Sequence, residues 1–332
     1  MPKNCFAAYA AALVCLGAAP AIAADPEVTA DQAVGALEQT FGIHPGERRN
    51  HAKGTCALGT FVGAKDAARY SRSALFSGAA VPVVARFSLA GGNPKAPDTA
   101  KSARGMALEF ALPDGGRQHM AMINTPVFGA ASPQSFVDLI TAMRPDPATG
   151  KPDPEKIKAF KASHPDNRMQ AHFLESNNPP ASYASSAYLG LHAFKFIGTE
   201  DKTTLVRWQF VPEDGEKRLS DDELKAAGAD FLERTLIDRT RQGPVRWDMV
   251  ATIGQPGDAE DDPTVAWPEA RPKVTVGTLT ITAAMPQKGA ACETINYDPL
   301  VMADGIAATD DPVLLFRSPA YAVSFARRMG GM

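Results

Sequence analysis

The residues best suited to chemistry fall into two groups far apart in the chain. In the first, Arg48-Arg-Asn-His51-Ala-Lys-Gly sets an imidazole just ahead of a small, flexible turn at Gly54. Downstream, Val84-Ala-Arg86-Phe-Ser88 reads as the end of a strand, where alternation puts Arg86 and Ser88 on one face. A hydroxyl there can accept from one nitrogen of an imidazole and leave the other free as a base. In the second group Arg317 and Tyr321 stand four apart, so a helix carries both on one face and lets the guanidinium donate to the phenolic oxygen. A free tyrosine ionises near pH ~10, so holding it as an anion at neutral pH takes positive charge beside it. Each feature alone also has an ordinary reading, as a structural histidine and an amphipathic core tyrosine.

The elements that must position these groups are mostly strands. Segments 81–89, 105–111, 120–127, 187–197, 203–211, 245–253 and 273–282 are strand-like, several of them alternating apolar and polar residues as half-buried antiparallel strands do. Helices interrupt them without regular alternation. One covers 29–40 with Val34 and Leu37 on one face and Asp31 in its first turn. A second starts at Ser132-Pro133 and runs to Met143, a third opens on a capping box of Ser220 and Glu223, and the last opens at Asp311-Pro312. This pattern predicts an α+β fold and suits a barrel better than a doubly wound sheet. Segments 144–154 and 254–272, rich in Pro, Asp and Gly, read as exposed loops within one domain, with strand patterns resuming directly after them.

With 45% hydrophobic and 21% charged residues among 332, the chain can bury one large core or two modest ones. A net charge of −3 and no concentrated basic face argue against nucleic-acid binding. Lys3, an apolar run over 6–17, Pro20 and Ala21-Ile22-Ala23 predict a signal peptide over 1–23, cleaved near Ala23 or Ala24. The run is shorter than the roughly 20 residues that span a bilayer, so export to the periplasm or beyond is expected, with no membrane span. Val14 before Cys15 does not suit lipidation. Cys5 and Cys15 would leave with the leader, so Cys56 and Cys292 remain to pair with each other or to sit as two separate buried thiols. The sequence has no CxxC, HExxH or CxxCH, so any cofactor is held noncovalently.

Seven runs in order, His51-Ala-Lys-Gly, Val84-Ala-Arg86-Phe-Ser88, Ala103-Arg104-Gly105-Met-Ala-Leu, Asn124-Thr-Pro-Val-Phe128, Gly190-Leu-His192-Ala-Phe, Tyr297-Asp-Pro and Arg317-Ser-Pro-Ala-Tyr321, give a chain that resembles the haem catalases from His51 to Arg328. The resemblance implies an antiparallel barrel of about eight strands with inserted and C-terminal helices, forming a single haem domain over 25–332, and a noncovalent haem b. It assigns the distal acid/base role to His51, with Ser88 orienting it, and iron ligation to Tyr321. Arg317 would support the ligand, backed by His192 and Asp311. Arg48, Arg86 and Arg328 would meet the haem propionates, and Phe136 would stack near the macrocycle.

The sequence departs from that family in three places. Catalases carry two consecutive asparagines before this Thr-Pro, the first being the distal amide that orients peroxide. Here that place is Ile123, and Asn124, pointing to the other face of a strand, cannot stand in. Asn50, where catalases have an apolar residue over the haem, would restore some polarity. Pro319 lies inside the last helix, where it is expected to shift the local turn. A single well-placed base can move a proton between two peroxide oxygens, whereas oxidising a second peroxide needs that small molecule held tightly. The expectation is therefore a peroxidase that takes hydrogen peroxide or organic hydroperoxides and a small organic reductant. The alternatives are a true catalase with another distal donor and, further off, a haem-binding protein without turnover. Catalases also continue well past the ligand tyrosine, while Met332 follows closely here, so a more open haem and a monomer or homodimer are expected in place of a tetramer.

Overall fold

The computed structural model describes Met1 and residues 27–331, so the expected leader, with Cys5 and Cys15, lies outside the described residues. Ten strands form one antiparallel sheet: β1 (Gly54–Gly63), β2 (Ala80–Leu89), β3 (Arg104–Ala111), β4 (Arg117–Ile123), β5 (Tyr188–Leu189), β6 (Phe194–Ile197), β7 (Thr203–Pro212), β8 (Val245–Ile253), β9 (Lys273–Pro286) and β10 (Ile306–Ala308). Their order is β10-β6-β7-β5-β4-β3-β2-β1-β9-β8, and β7 also pairs with β8. That extra pairing closes β1–β5 and β7–β9 into a barrel of eight strands, with β6 and β10 extending from its seam. Closure removes the exposed edges that an open sheet would leave.

The barrel forms because its strands bury every second residue. Along β7, Val206, Trp208 and Phe210 face inward, and along β8 so do Val245, Trp247, Met249 and Ala251. Phe61, Phe87, Met106, Leu108 and Phe110 fill the same core, with Phe61 edge-on to Phe110 at 5.5 Å. Each such side chain contributes about 1.5–3 kcal/mol by leaving water.

Helix α1 (Ala30–Phe41) starts at a capping box of Thr29 and Gln32. Between β4 and β5 lie α2 (Pro133–Ala142), capped by Ser132, then α3 (Pro154–Ser163) and α4 (Arg168–Ser176). Between β7 and β8 lie α5 (Asp221–Ala226) and α6 (Phe231–Arg241), and α7 (Pro312–Met329) ends the chain. Ala36 and Leu37 of α1 pack on Ile140 of α2. Arg327 of α7 reaches back to α1, donating to Glu38 at 2.6 Å and Asp31 at 2.8 Å. Among the described residues no helix is long and apolar enough to cross a membrane.

Several elements differ from the sequence-based expectation. The turn expected at Gly54 is the start of a ten-residue strand, β1, whose glycines at 54, 59 and 63 break the apolar alternation. Gly59 is needed there because a Cβ would run into the backbone of Thr280 on β9. The strand expected over 120–127 stops at Ile123, where Asn124 turns the chain. The one expected over 187–197 is split by a tight turn in which the His192 amide donates to the Gly190 carbonyl at 2.7 Å and Leu191 takes a φ of 62°. After the loop at 144–154 two helices follow, where strands were expected. The capping-box helix at Ser220 lasts only six residues before a separate helix, α6, begins.

Candidate active site

His51 sits between α1 and β1 with a φ of 54°, a left-handed conformation that costs of order 1–3 kcal/mol for a residue other than glycine. The amide oxygen of Asn50 accepts from the His51 amide at 2.9 Å and the Gly91 amide at 2.8 Å, which fixes this turn. The amide oxygen of Asn50 is thereby committed to the backbone, which leaves its carboxamide N–H groups as donors. The Nδ1 of His51 lies 2.9 Å from the Ser88 hydroxyl on β2, as strand alternation with Arg86 required. A Cβ on Gly105 of β3 would stand 2.7 Å from Ser88 Oγ and 3.0 Å from His51 Nδ1, so only glycine lets the strand approach this pair. Burial, followed by the charges of Arg86, Arg317 and Arg48, holds the imidazole down at about 3, which keeps it neutral through the ordinary pH range.

Gly105 pairs across β3 and β4 with Ile123, which is half-buried beside this pair. Asn124 instead donates its carboxamide N–H to Ser186 at 3.4 Å and accepts from the Arg104 amide at 2.8 Å. It turns the chain, away from His51.

Two residues back from Ile123, the Ala121 carbonyl accepts from Arg317 Nη2 at 3.4 Å, and the same nitrogen donates to the Tyr321 hydroxyl at 2.9 Å. Both groups of chemical residues therefore meet on β3 and β4. Helix α7 runs through Pro319 unbroken and retains the Arg317–Tyr321 contact, so the expected shift of the local turn leaves the pair intact. Its start is fixed by Asp311, whose Oδ1 caps the amides of Val313 and Leu314 while Oδ2 lies 2.6 Å from His192 Nδ1. Asp311 and His192 are both buried, and burial lowers the His192 pKa against the opposing pull of the carboxylate. One carboxylate thus caps the helix and orients the histidine, a cap of this kind contributing about 0.5–2 kcal/mol.

Three cations gather on the remaining side. Arg48 Nη2 donates to the carbonyls of Cys292, Glu293 and Ile295 at 3.1, 3.4 and 2.7 Å. Arg86 donates twice to Gln287 Oε1, at 3.0 and 2.7 Å, and to the Ala52 carbonyl at 3.0 Å. Arg328 is 6% exposed, and its Nε and Nη1 have no hydrogen-bond partner among the described residues, although its guanidinium lies over the Phe325 ring. None of the three makes an ion pair among the described residues. Burial first, then Arg86 and Arg328, depresses the Arg48 guanidinium to about 8. Buried cations without a carboxylate are costly, and a bound group carrying two carboxylates relieves that cost. These residues fit the propionates of a haem.

Phe136 packs with Ala36, Leu37 and Ile140 and stacks on Phe128, ring centroids 6.1 Å apart and planes 20° apart. Cys56 and Cys292 form a disulfide, resolving the two readings left open by sequence. It packs on Tyr297 and ties β1 to the loop whose carbonyls hold Arg48. Gln287 and the carbonyl-bearing loop 292–295 are site components that sequence reasoning missed. Gln287 has no titratable group, and the loop acts through its backbone carbonyls, so neither role had a side-chain signal in the sequence.

The comparisons agree with this geometry. A family model described as Catalase matches residues 43–332. The chain is 62% identical over 325 residues to a catalase-related peroxidase of Synechococcus elongatus, covering 98% of this chain and 96% of that one. It is 38% identical to a catalase-related peroxidase of Mycolicibacterium paratuberculosis, covering 91% and 96% respectively. A solved fungal catalase superposes with a TM-score of 0.80 at 25% identity, over 86% of this chain and 60% of that one.

Proposed function

Because the chain belongs to the catalase family, we propose that it works as a haem-dependent peroxidase that reduces hydrogen peroxide or organic hydroperoxides with electrons from a small organic donor. The observation that carries this reading is the hydrogen bond from Arg317 to Tyr321 on α7, with Arg317 also reaching the Ala121 carbonyl of β4, two residues from the Ile123 that pairs with Gly105 beside the Ser88-bound His51. In this reading haem b is held noncovalently, with Tyr321 as iron ligand and with Arg48, Arg86 and Arg328 at the propionates. When bound, the haem supplies the redox centre at which peroxide is reduced.

The protein's own residues handle position and protons. With its Nδ1–H donating to Ser88, His51 keeps Nε2 as a base, takes a proton from one peroxide oxygen and returns it to the other. Its depressed pKa keeps that nitrogen unprotonated and ready. Arg317 donates to the Tyr321 oxygen at 2.9 Å and holds it in position. His192 and Asp311 fix the helix start from which Arg317 and Tyr321 project. Ile123 beside His51 offers no hydrogen bond to a second peroxide, which favours the peroxidase over the true catalase.

Export with loss of residues 1–23 belongs to the same proposal. The Cys56–Cys292 disulfide supports it, since such bonds persist in oxidising compartments. The deciding experiment is a set of steady-state assays on the haem-loaded protein with hydrogen peroxide and an alkyl hydroperoxide, with and without a phenolic donor. Donor oxidation far above oxygen release is expected. Oxygen release at the faster rate would overturn the reading in favour of the true catalase.

A further inference from the structure

A cavity of about 240 Å³ is lined in part by Gln287, the hydrogen-bond partner of Arg86. Gln287 forms part of its wall, accepting from Arg86 and donating to Glu47 Oε2 at 3.3 Å, so the cavity is one hydrogen-bonded layer away from a propionate arginine. Its other polar walls are unevenly charged. Lys53 is consumed by Asp98 at 2.8 Å and Asp230 at 2.6 Å, together with the carbonyls of Ala96 and Ala229. Glu47 and Glu233 have no ion-pair partner among the described residues, and Glu233 accepts only from the Thr55 hydroxyl at 3.1 Å. Tyr183 is 2% exposed and lines the cavity, yet among the described residues no group hydrogen-bonds its hydroxyl. A phenol hydroxyl in a cavity wall with no protein partner leaves a hydrogen bond for a ligand to supply.

We propose that this cavity is the docking site for the organic reductant and that it selects a single-ring phenol or arylamine carrying a positive charge. The inference rests on the donor-oxidising reading above and names its substrate class. Glu47 and Glu233 receive the ammonium, and Tyr183 hydrogen-bonds the ring substituent. The volume admits about one substituted ring and turns away larger polycyclic donors. Seated there, the donor lies beside the residues that grip the haem edge, without entering the distal space that peroxide needs. Each phenol gives up one electron and one proton, and two of them balance one peroxide: H2O2 + 2 ArOH → 2 H2O + 2 ArO•.

Tyramine and 3-(4-hydroxyphenyl)propionate share the phenol and differ in the sign of their charge, so they test the site on the unmodified holoenzyme. Calorimetric titration without peroxide and steady-state oxidation with it are both expected to favour tyramine by roughly tenfold, in Kd and in KM. The double variant Glu47→Gln, Glu233→Gln should erase that preference by raising the tyramine values, and Tyr183→Phe should weaken both phenols alike. Equal binding of the two phenols, or a preference that survives the double variant, would overturn the proposal. The comparison of two ligands on the wild-type chain stands even if a variant fails to fold. Should tyramine bind with the expected preference while neither phenol is oxidised, the donor-oxidising reading falls and the binding site remains.

Discussion

The two halves of the site are built on different scaffolds. The distal half stands on barrel strands: Ser88 on β2, Gly105 on β3 and Ile123 on β4 are fixed by ladder hydrogen bonds, and His51 enters through a strained turn. The proximal half stands on one helix, where Arg317 and Tyr321 meet by four-residue spacing and Asp311 sets where the turns begin. The barrel side gains precision from close approach, with no room for a methyl group at Gly105. The helical side tolerates even a proline between its two functional residues, because the contact it must make is local. Loss of a proximal group should therefore remove the cofactor, and distal changes should leave it bound and alter rate.

The largest expected effect tests the proximal half. Tyr321→Phe should reduce bound haem per chain by tenfold or more, roughly, since a phenol oxygen is the proposed ligand and nothing local replaces it. Haem extracted and quantified from purified variant at the wild-type level would break the comparison.

On the distal side, His51→Ala should lower kcat/KM for peroxide by about two to four orders of magnitude while haem content holds. The pH dependence sharpens this. A base whose pKa is depressed to about 3 stays competent as pH falls through 6.5, so kcat/KM for peroxide should stay flat from neutral pH down to weakly acid solution. An acid limb centred near 6.5 that disappears in His51→Ala would show an unperturbed imidazole. The same depression has a stability sign: the unfolded chain binds the proton first, so this contribution is present above about 6.5 and is lost as pH falls towards 3.

Gly105→Ala comes next. A methyl within 3.0 Å of both Ser88 Oγ and His51 Nδ1 must displace one of them, and a loss of about tenfold to a hundredfold in kcat/KM is expected with haem retained. Stopped-flow measurement with peroxide finding a wild-type rate would show that the base tolerates more freedom than the close packing implies. The smallest change is a gain. Ile123→Asn should raise oxygen release from hydrogen peroxide by about tenfold and donor oxidation by much less, an amide donor beside His51 being what a second peroxide lacks. Equal increases in both would place the limit elsewhere.

How much of this was legible in sequence follows the same division. The contacts of His51 with Ser88 and of Arg317 with Tyr321 could be read because they depend on residue type and on strand alternation or a helical turn. The α2 and α7 starts were legible from Ser132-Pro133 and Asp311-Pro312, which cap helices by local hydrogen bonds. Strand β1 was not, since Gly54 makes room for Arg86 and Phe87 of β2, Gly59 for Thr280 of β9 and Gly63 for the backbone at Leu75-Phe76, requirements set by partners outside the local segment. The carbonyls that hold Arg48 were also invisible, because every residue has a carbonyl and only the fold aims three of them at one guanidinium. The part Asn50 plays in fixing the His51 turn was invisible for a related reason: its amide oxygen serves two backbone N–H groups that are 40 positions apart in sequence, at His51 and Gly91.

The grip of Arg327 on Asp31 and Glu38 joins residues up to 296 positions apart. During synthesis the first helix emerges with its acidic partners long before the last helix exists, and the barrel strands that carry the proton-handling residues follow well ahead of Tyr321. A chain that ended after β9 would hold His51 and Ser88 yet lack Tyr321, the proposed ligand, so partial chains should not trap the cofactor. Under the proposed ligation, haem capture waits until the last helix has closed on the first.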